Sequence, residues 1–141
     1  MSDTVVDCSA LSAVIFGEVE GEAIRRELDG RRLVAPPLLP FELAQVCATK
    51  LSRHPESRQS ILGQYVLALE QLRIEIAPVG LDEIPVLSQQ VGLSAYDASY
   101  LWLALSRNAG LVSLDRKLLG AYAVAVGGAV PRDRRPRPDK A

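Results

Sequence analysis

Short apolar runs that suit buried strands alternate along this chain with longer segments of helical periodicity, and that order constrains the fold most. Thr4-Val5-Val6, Leu33-Val34-Ala35, Ile74-Glu75-Ile76-Ala77 and Leu111-Val112-Ser113-Leu114 are the runs, followed at once by Asp7, Pro36, Pro78 and Asp115. Between them, apolar residues recur every three or four positions, which predicts helices over 9–17, 20–29, 40–52, 57–73, 81–91 and 95–109. A final helix is expected over 116–123, then one last short strand at Val124-Ala125-Val126. Strands joined by helical crossovers pair in parallel, and a parallel sheet has to be covered on both faces. The expected architecture is therefore a three-layer α/β/α sandwich around a central, mainly parallel sheet of four to five strands.

Local signals fill in that frame. Ser9 stands where an N-cap for 9–17 belongs, with Leu11, Val14 and Ile15 on one face. Gly30 and Gly92 read as helix stops, and Gly110 as the C-cap of 95–109. Ala98, Leu101, Trp102, Leu105 and Ala109 form the apolar stripe of that helix, and Ile61, Leu62, Tyr65, Val66, Leu69 and Leu72 that of 57–73. Both stripes are expected in the core.

A chain of 141 residues, 48% hydrophobic and 23% charged, has apolar surface for one core without covalent staples. The expected organisation is a single domain over 1–130 and a basic, disordered tail over 131–141. Charge interrupts every apolar stretch before the ~20 residues a membrane span needs, and no signal-peptide pattern opens the chain. A cytoplasmic location is expected. Cys8 and Cys47 are too few for a disulfide framework or a zinc site and read as packed free thiols. His54, the sole histidine, stands beside Pro55 in a polar stretch and reads as a solvated turn residue, which removes histidine-based nucleophilic schemes. The net charge of −1 divides unevenly: the tail holds five basic and two acidic residues, the first 130 residues 11 basic and 15 acidic.

Against that background, Asp7, Glu42, Asp97 and Asp115 stand at turn points, each beside a different hydrophobic segment. Taken singly, each has a structural explanation. Asp7 can end a strand, Asp97 can complete a capping box with Ser94, Asp115 can cap the last helix, and Glu42 can be a solvated helix residue. Taken together they suggest more. Functional groups in parallel sheets collect outside the carboxyl ends of strands, and crowded carboxylates repel unless protonated or bridged by cations. Mg²⁺ or Mn²⁺ suits such an all-oxygen site, and the resulting chemistry, hydrolysis of a phosphodiester by activated water, needs no histidine. Ser9 and Ser113, each two residues from an acid, are candidate supporting polar groups.

The segments VVDCSAL, FELAQV, SAYDASYLWLAL and LVSLDRKLL resemble the PIN-domain ribonucleases, and most of all the VapC toxins of bacterial toxin–antitoxin pairs. The resemblance runs from about residue 3 to residue 127 and leaves only the tail outside. It implies a PIN-like sandwich and a metal-dependent endoribonuclease acting on single-stranded RNA, with Asp7, Glu42, Asp97 and Asp115 as metal-binding and catalytic acids holding Mg²⁺ or Mn²⁺. It implies Ser9 and Ser113 as their supports, Ser113 standing where threonine is commoner. It further implies a homodimer silenced by a cognate antitoxin whose C-terminal segment crosses the active groove, with DNA engaged only indirectly through that antitoxin. Arg116 and Lys117, directly after Asp115, are the nearest candidates for RNA phosphate contacts, or else a solvated first helical turn.

Other classes fit less well. A haloacid-dehalogenase-type phosphatase needs Asp-x-Asp after its first strand, and here the second position is Ser9. A phosphoreceiver needs an acceptor aspartate after a middle strand, where this chain has Pro78. A catalytically weak binding module that acts through complex formation with an antitoxin, in autoregulation, stays open as the alternative to an enzyme.

Overall fold

The computed structural model describes residues 2–128; the expected tail over 131–141 lies outside them. Its elements follow the order read from the sequence: β1 (Asp3–Val6), α1 (Cys8–Ile15), α2 (Gly21–Leu28), β2 (Arg32–Ala35), α3 (Leu39–Arg53), α4 (Arg58–Gln71), β3 (Ile74–Ile76), α5 (Ile84–Val91), α6 (Ala95–Ser106), β4 (Gly110–Val112) and α7 (Arg116–Gly128). A single 3₁₀ turn, Pro55–Ser57, joins α3 to α4.

All four strands are parallel, in the order β3-β2-β1-β4. Right-handed crossovers from β1 to β2 and from β2 to β3 run in one direction and place α1–α4 on one face. The crossover from β3 back past β2 and β1 to β4 runs the other way and places α5 and α6 on the opposite face. Packing of α1 on α2, α3 and α4, and of α6 on α5 and α7, agrees with this. The sheet therefore changes direction between β1 and β4, and a crevice opens at such a switch point outside the carboxyl ends of the strands.

The carboxyl halves of the two central strands, β1 and β2, are buried on both faces, whereas the edge strand β3 is partly exposed. Val5, Val6, Val34 and Ala35 are fully buried, and Leu11 from one helical layer and Leu101 from the other close over them. Gly92 ends α5 with φ of 71°, as its position suggested. The reversal after α6 is made by Asn108, with φ of 51°, while Gly110 opens β4 instead of capping the helix. Asparagine tolerates the left-handed region better than most residues, and this releases Gly110 for strand pairing.

Further expectations are corrected. Val124-Ala125-Val126 is no strand: α7 runs unbroken to Gly128, because the alanine-rich AYAVAV continues the helix that Asp115 caps and does not pair with the edge strand β4. The N-cap of α1 is Asp7, not Ser9, whose side chain is used elsewhere. The apolar stripe of α4 is only partly covered: Ile61 is buried and Leu62, Tyr65 and Leu72 are partly buried, but Val66 and Leu69 are exposed. That helix packs on α3 at the margin of the layer, roofing a cavity of about 210 Å³ lined by Leu11, Leu39, Leu43, Tyr65 and Leu72 among others. In α6, similarly, Leu105 faces outward, and Leu103 and Ala104 join the core in its place.

The amino ends of the strands are tied by charge. Arg107 donates to Asp3 on β1 at 3.1 Å and to both carboxylate oxygens of Glu75 on β3, and Arg32 on β2 donates to Asp3 at 2.6 Å. These guanidinium hydrogen bonds hold Asp3 and Glu75 below the ordinary carboxylate range. Carboxylates with lowered folded-state pKa values stabilise above their unfolded pKa, and lose that effect as the pH falls through the folded one. Arg107→Met should therefore lower the urea midpoint at neutral pH, with the difference from the parent vanishing in acid.

Packing of α1 on α2 supplies a second test. Gly21 lies where a Cβ would run into the carbonyl of Ala13, whereas a Cβ on Gly63 in α4 would meet nothing within 4 Å. Gly→Ala inside a helix normally stabilises, by about 0.4–1 kcal/mol. Gly63→Ala should follow that rule, and Gly21→Ala should reverse it, costing about 1–3 kcal/mol from overpacking. Thermal melting of both variants reads the sign directly.

Candidate metal-binding active site

At the carboxyl end of β1 the chain places a carboxylate inside the protein. Asp7 is 5% exposed, and its backbone N–H still donates to Val112 of β4, so the residue ends the central strand while starting α1. Its Oδ1 accepts from the Ala10 N–H at 3.0 Å, as a helix cap, and from the Ser9 hydroxyl at 2.8 Å; Oδ2 accepts from the Ser113 hydroxyl at 2.6 Å. Ser113 lies beyond β4, beside Asp7, because β1 and β4 pair in register from Thr4–Gly110 to Val6–Val112. Its Oγ also accepts from the Asp115 N–H, and Ser9 Oγ from the Leu114 N–H, both at 2.9 Å. The two serines thus join the strand ends into one network around Asp7.

Glu42 arrives from the other side. Pro36 and Pro37 end β2, Pro40 preorganises the start of α3, and Glu42 falls in the first turn of that helix. It is partly buried, and its Oε1 accepts from the Tyr100 hydroxyl at 2.5 Å. Tyr100 is not among the candidates named from the sequence; it lies three residues after Asp97 on α6. It is buried at 1% exposure, and its hydroxyl reaches an acid 58 positions away in the chain.

Asp97 occupies the first turn of α6, where its N–H donates to the Ser94 hydroxyl at 3.1 Å. Half of the expected capping box is therefore present. Asp115 caps α7, Oδ1 accepting from the N–H groups of Lys117 and Leu118 at 2.9 and 3.1 Å. Arg116 and Lys117 are exposed in the first turn of that helix. Lys117 is close enough to Asp97 to lower its pKa, although the other influences on that group prevail.

The electrostatics tie the four acids together. Burial pushes the Asp7 carboxyl above the ordinary range against three hydrogen bonds that lower it, and Asp115 adds repulsion. Burial likewise raises Glu42, opposed by the Tyr100 hydrogen bond and assisted by Asp97 and Asp7. Asp97 is raised by burial and then by Asp115 and Asp7. Among the described residues none of the four forms an ion pair with lysine or arginine. The contrast with the other end of the sheet, where every acid in the network is paired, is sharp. Cys8, in the same neighbourhood, has its thiol pushed up to about 12 by burial, Glu42 and Asp7, so it offers no thiolate.

This donor set suits a hard divalent cation: oxygen only, surplus negative charge, and carboxylates that raise one another's proton affinity. Among the described residues no three acid, histidine or cysteine side chains converge into a ready-made cage. The arrangement therefore fits a cation that keeps several waters, as Mg²⁺ does, with some carboxylates reached through those waters. His54 lies apart, exposed, 3.7 Å from Glu56, and takes no part.

Comparison with known proteins identifies the fold and the family. Two solved structures share the fold. One is PAE2754 from Pyrobaculum aerophilum, 24% identical over 85% of this chain and 84% of that one, with a TM-score of 0.68. The other is VapC20 of Mycobacterium tuberculosis, a sarcin-ricin loop cleaving toxin, 12% identical over 84% of this chain and 94% of that one, with a TM-score of 0.60. No curated protein matches the sequence significantly. The PIN domain family profile matches residues 4–124, which contain all four acids, both serines and all of the sheet but the first residue of β1, and the chain belongs to the PIN domain family.

Proposed function

We propose that the protein is a metal-dependent endoribonuclease, the toxin of a type II toxin–antitoxin pair, with Asp7, Glu42, Asp97 and Asp115 as its metal-binding and catalytic acids. One observation carries the reading: four carboxylates from four separate elements, with no ion-pair partner among the described residues, gather at the switch point of the sheet, where Glu42 and Asp97 are each raised by two of the other acids and Asp7 by Asp115. Such an arrangement opposes folding when every acid is charged, and a divalent cation relieves it. A PIN domain with all four acids in place favours catalysis over a binding-only role.

When bound, Mg²⁺ or Mn²⁺ supplies Lewis acidity that lowers the pKa of water and neutralises charge growing on a phosphodiester. The chain's own residues do the rest. Asp7, locked by Ser9, Ser113 and the Ala10 N–H, is the fixed point of the site. Asp115 is held by its capping role, so its second oxygen is free to face the crevice. Arg116 and Lys117 lie exposed beside it and are suited to RNA phosphates, which position a strand without reading its sequence. A basic segment of the antitoxin would find the same acids attractive. The expected homodimer has surface available to it. Phe41, Leu81 and Tyr96 are 78%, 75% and 68% exposed, and Leu81 and Tyr96 line a groove of about 390 Å³ with Pro37, Leu38 and Ile84. Among the described residues no helix is long and apolar enough to cross a membrane, in keeping with the proposed cytoplasmic setting. A single nuclease domain over 1–130, with 131–141 as an appendage, completes the reading.

Purified, antitoxin-free protein should cut single-stranded RNA with Mg²⁺ or Mn²⁺, and EDTA should abolish the cleavage; no product from a broad RNA panel under either metal would sink the enzyme reading. Asp97→Asn should remove cleavage while the metal-free variant melts no lower than the parent at neutral pH. The sign follows from the raised pKa: a carboxyl whose folded pKa lies above its unfolded value destabilises once ionised, and the penalty fades as the pH falls below the ordinary carboxylate range. The variant's advantage should fade with it. A drop of ~1 kcal/mol at neutral pH with metal binding intact would make Asp97 a capping residue only.

A further inference from the structure

We propose that Tyr100 is the positioning residue of the acid cluster: its hydroxyl holds Glu42 through Oε1, so that Oε2 is presented to the cation. The inference rests on the metal-dependent reading above and adds to it a residue outside the four acids. Asp97 and Tyr100 are three residues apart on α6, hence on one face, and the same helix that carries one acid also grips another. Among the described residues the Glu42 carboxylate has no other hydrogen-bond partner and no ion pair. Leu38, the cap residue of α3, has an apolar side chain that cannot hydrogen-bond to it either.

The phenol is well suited to that task. A glutamate has three rotatable side-chain bonds, and a ligand on so flexible a stem loses rotamer freedom when it meets a metal. Tyr100 is 1% exposed with its ring fixed in the core, so its hydroxyl is a stationary donor at 2.5 Å. A phenol donates at neutral pH, and an ionised carboxylate only accepts, so the bond has one polarity and leaves the second oxygen unengaged. Asp7 has two serines for this purpose, and Glu42 has the tyrosine alone.

Tyr100→Phe keeps the ring and removes only the donor. Mn²⁺ binding by calorimetry, on full-length protein without RNA, should show an affinity roughly 10–100-fold weaker, the loss usual for partners that orient metal ligands. Cleavage should then need more Mn²⁺ but recover most of its kcat at saturation. A purely structural tyrosine would lower the melting temperature of the metal-free protein and leave the Mn²⁺ affinity alone, which overturns the proposal. An affinity loss that Tyr100→Phe still causes in a Glu42→Ala background also overturns it, because the tyrosine would then act through another group. If the parent binds neither Mn²⁺ nor Mg²⁺, the metal reading fails and takes this inference with it; if the parent binds and Tyr100→Phe binds equally well, only the inference fails.

Discussion

The structure turns on one buried carboxylate. Asp7 ends the central strand, caps the first helix and is 5% exposed, a position in which an ionised group is costly unless it is well hydrogen-bonded. Two serine hydroxyls and a helix N–H meet that need, and one of the serines comes from β4. The pairing of β1 with β4 therefore has a polar consequence as well as a sheet one: it brings Ser113 to Asp7 and, two residues on, Asp115 to the same crevice. Without that register the site would lose two of its members together.

The two ends of the sheet handle charge in opposite ways. At the amino ends, Arg32 and Arg107 neutralise Asp3 and Glu75 and lower their pKa values. At the carboxyl ends, the acids face one another without arginine partners and three of them are raised. Paired charges at one end favour a rigid scaffold. Acids crowded at the other end repel one another, which a bound cation would relieve.

Much of this was legible beforehand. Strand–helix order, parallel pairing and the three-layer arrangement follow from period and spacing, since short buried strands joined by helices have few other solutions. Asp7, Asp97 and Asp115 could be picked out because each sits beside a strong local signal, a strand end or a helix start. Where expectation and structure part, the cause is tertiary. The AVAV segment of α7 has strand-like residues but continues a capped helix instead of pairing with the edge strand β4, and the α4 stripe has helical period but only a partial roof over it. Tyr100 was visible only as an aromatic near an acid; that its hydroxyl crosses to α3 depends on how two helices on opposite sides of β2 and β1 approach each other at their ends.

The sequence by itself determined the fold class and the family resemblance and singled out four candidate acids, because periodicity, caps and local motifs are properties of neighbouring residues. Only the tertiary structure decided which acid is buried, which helper holds which oxygen and which apolar stripes stay uncovered. Those outcomes depend on contacts between residues tens of positions apart, such as Asp7 with Ser113 and Glu42 with Tyr100. Burial and repulsion in one crevice are sums over several elements at once, and no single stretch of the chain encodes them.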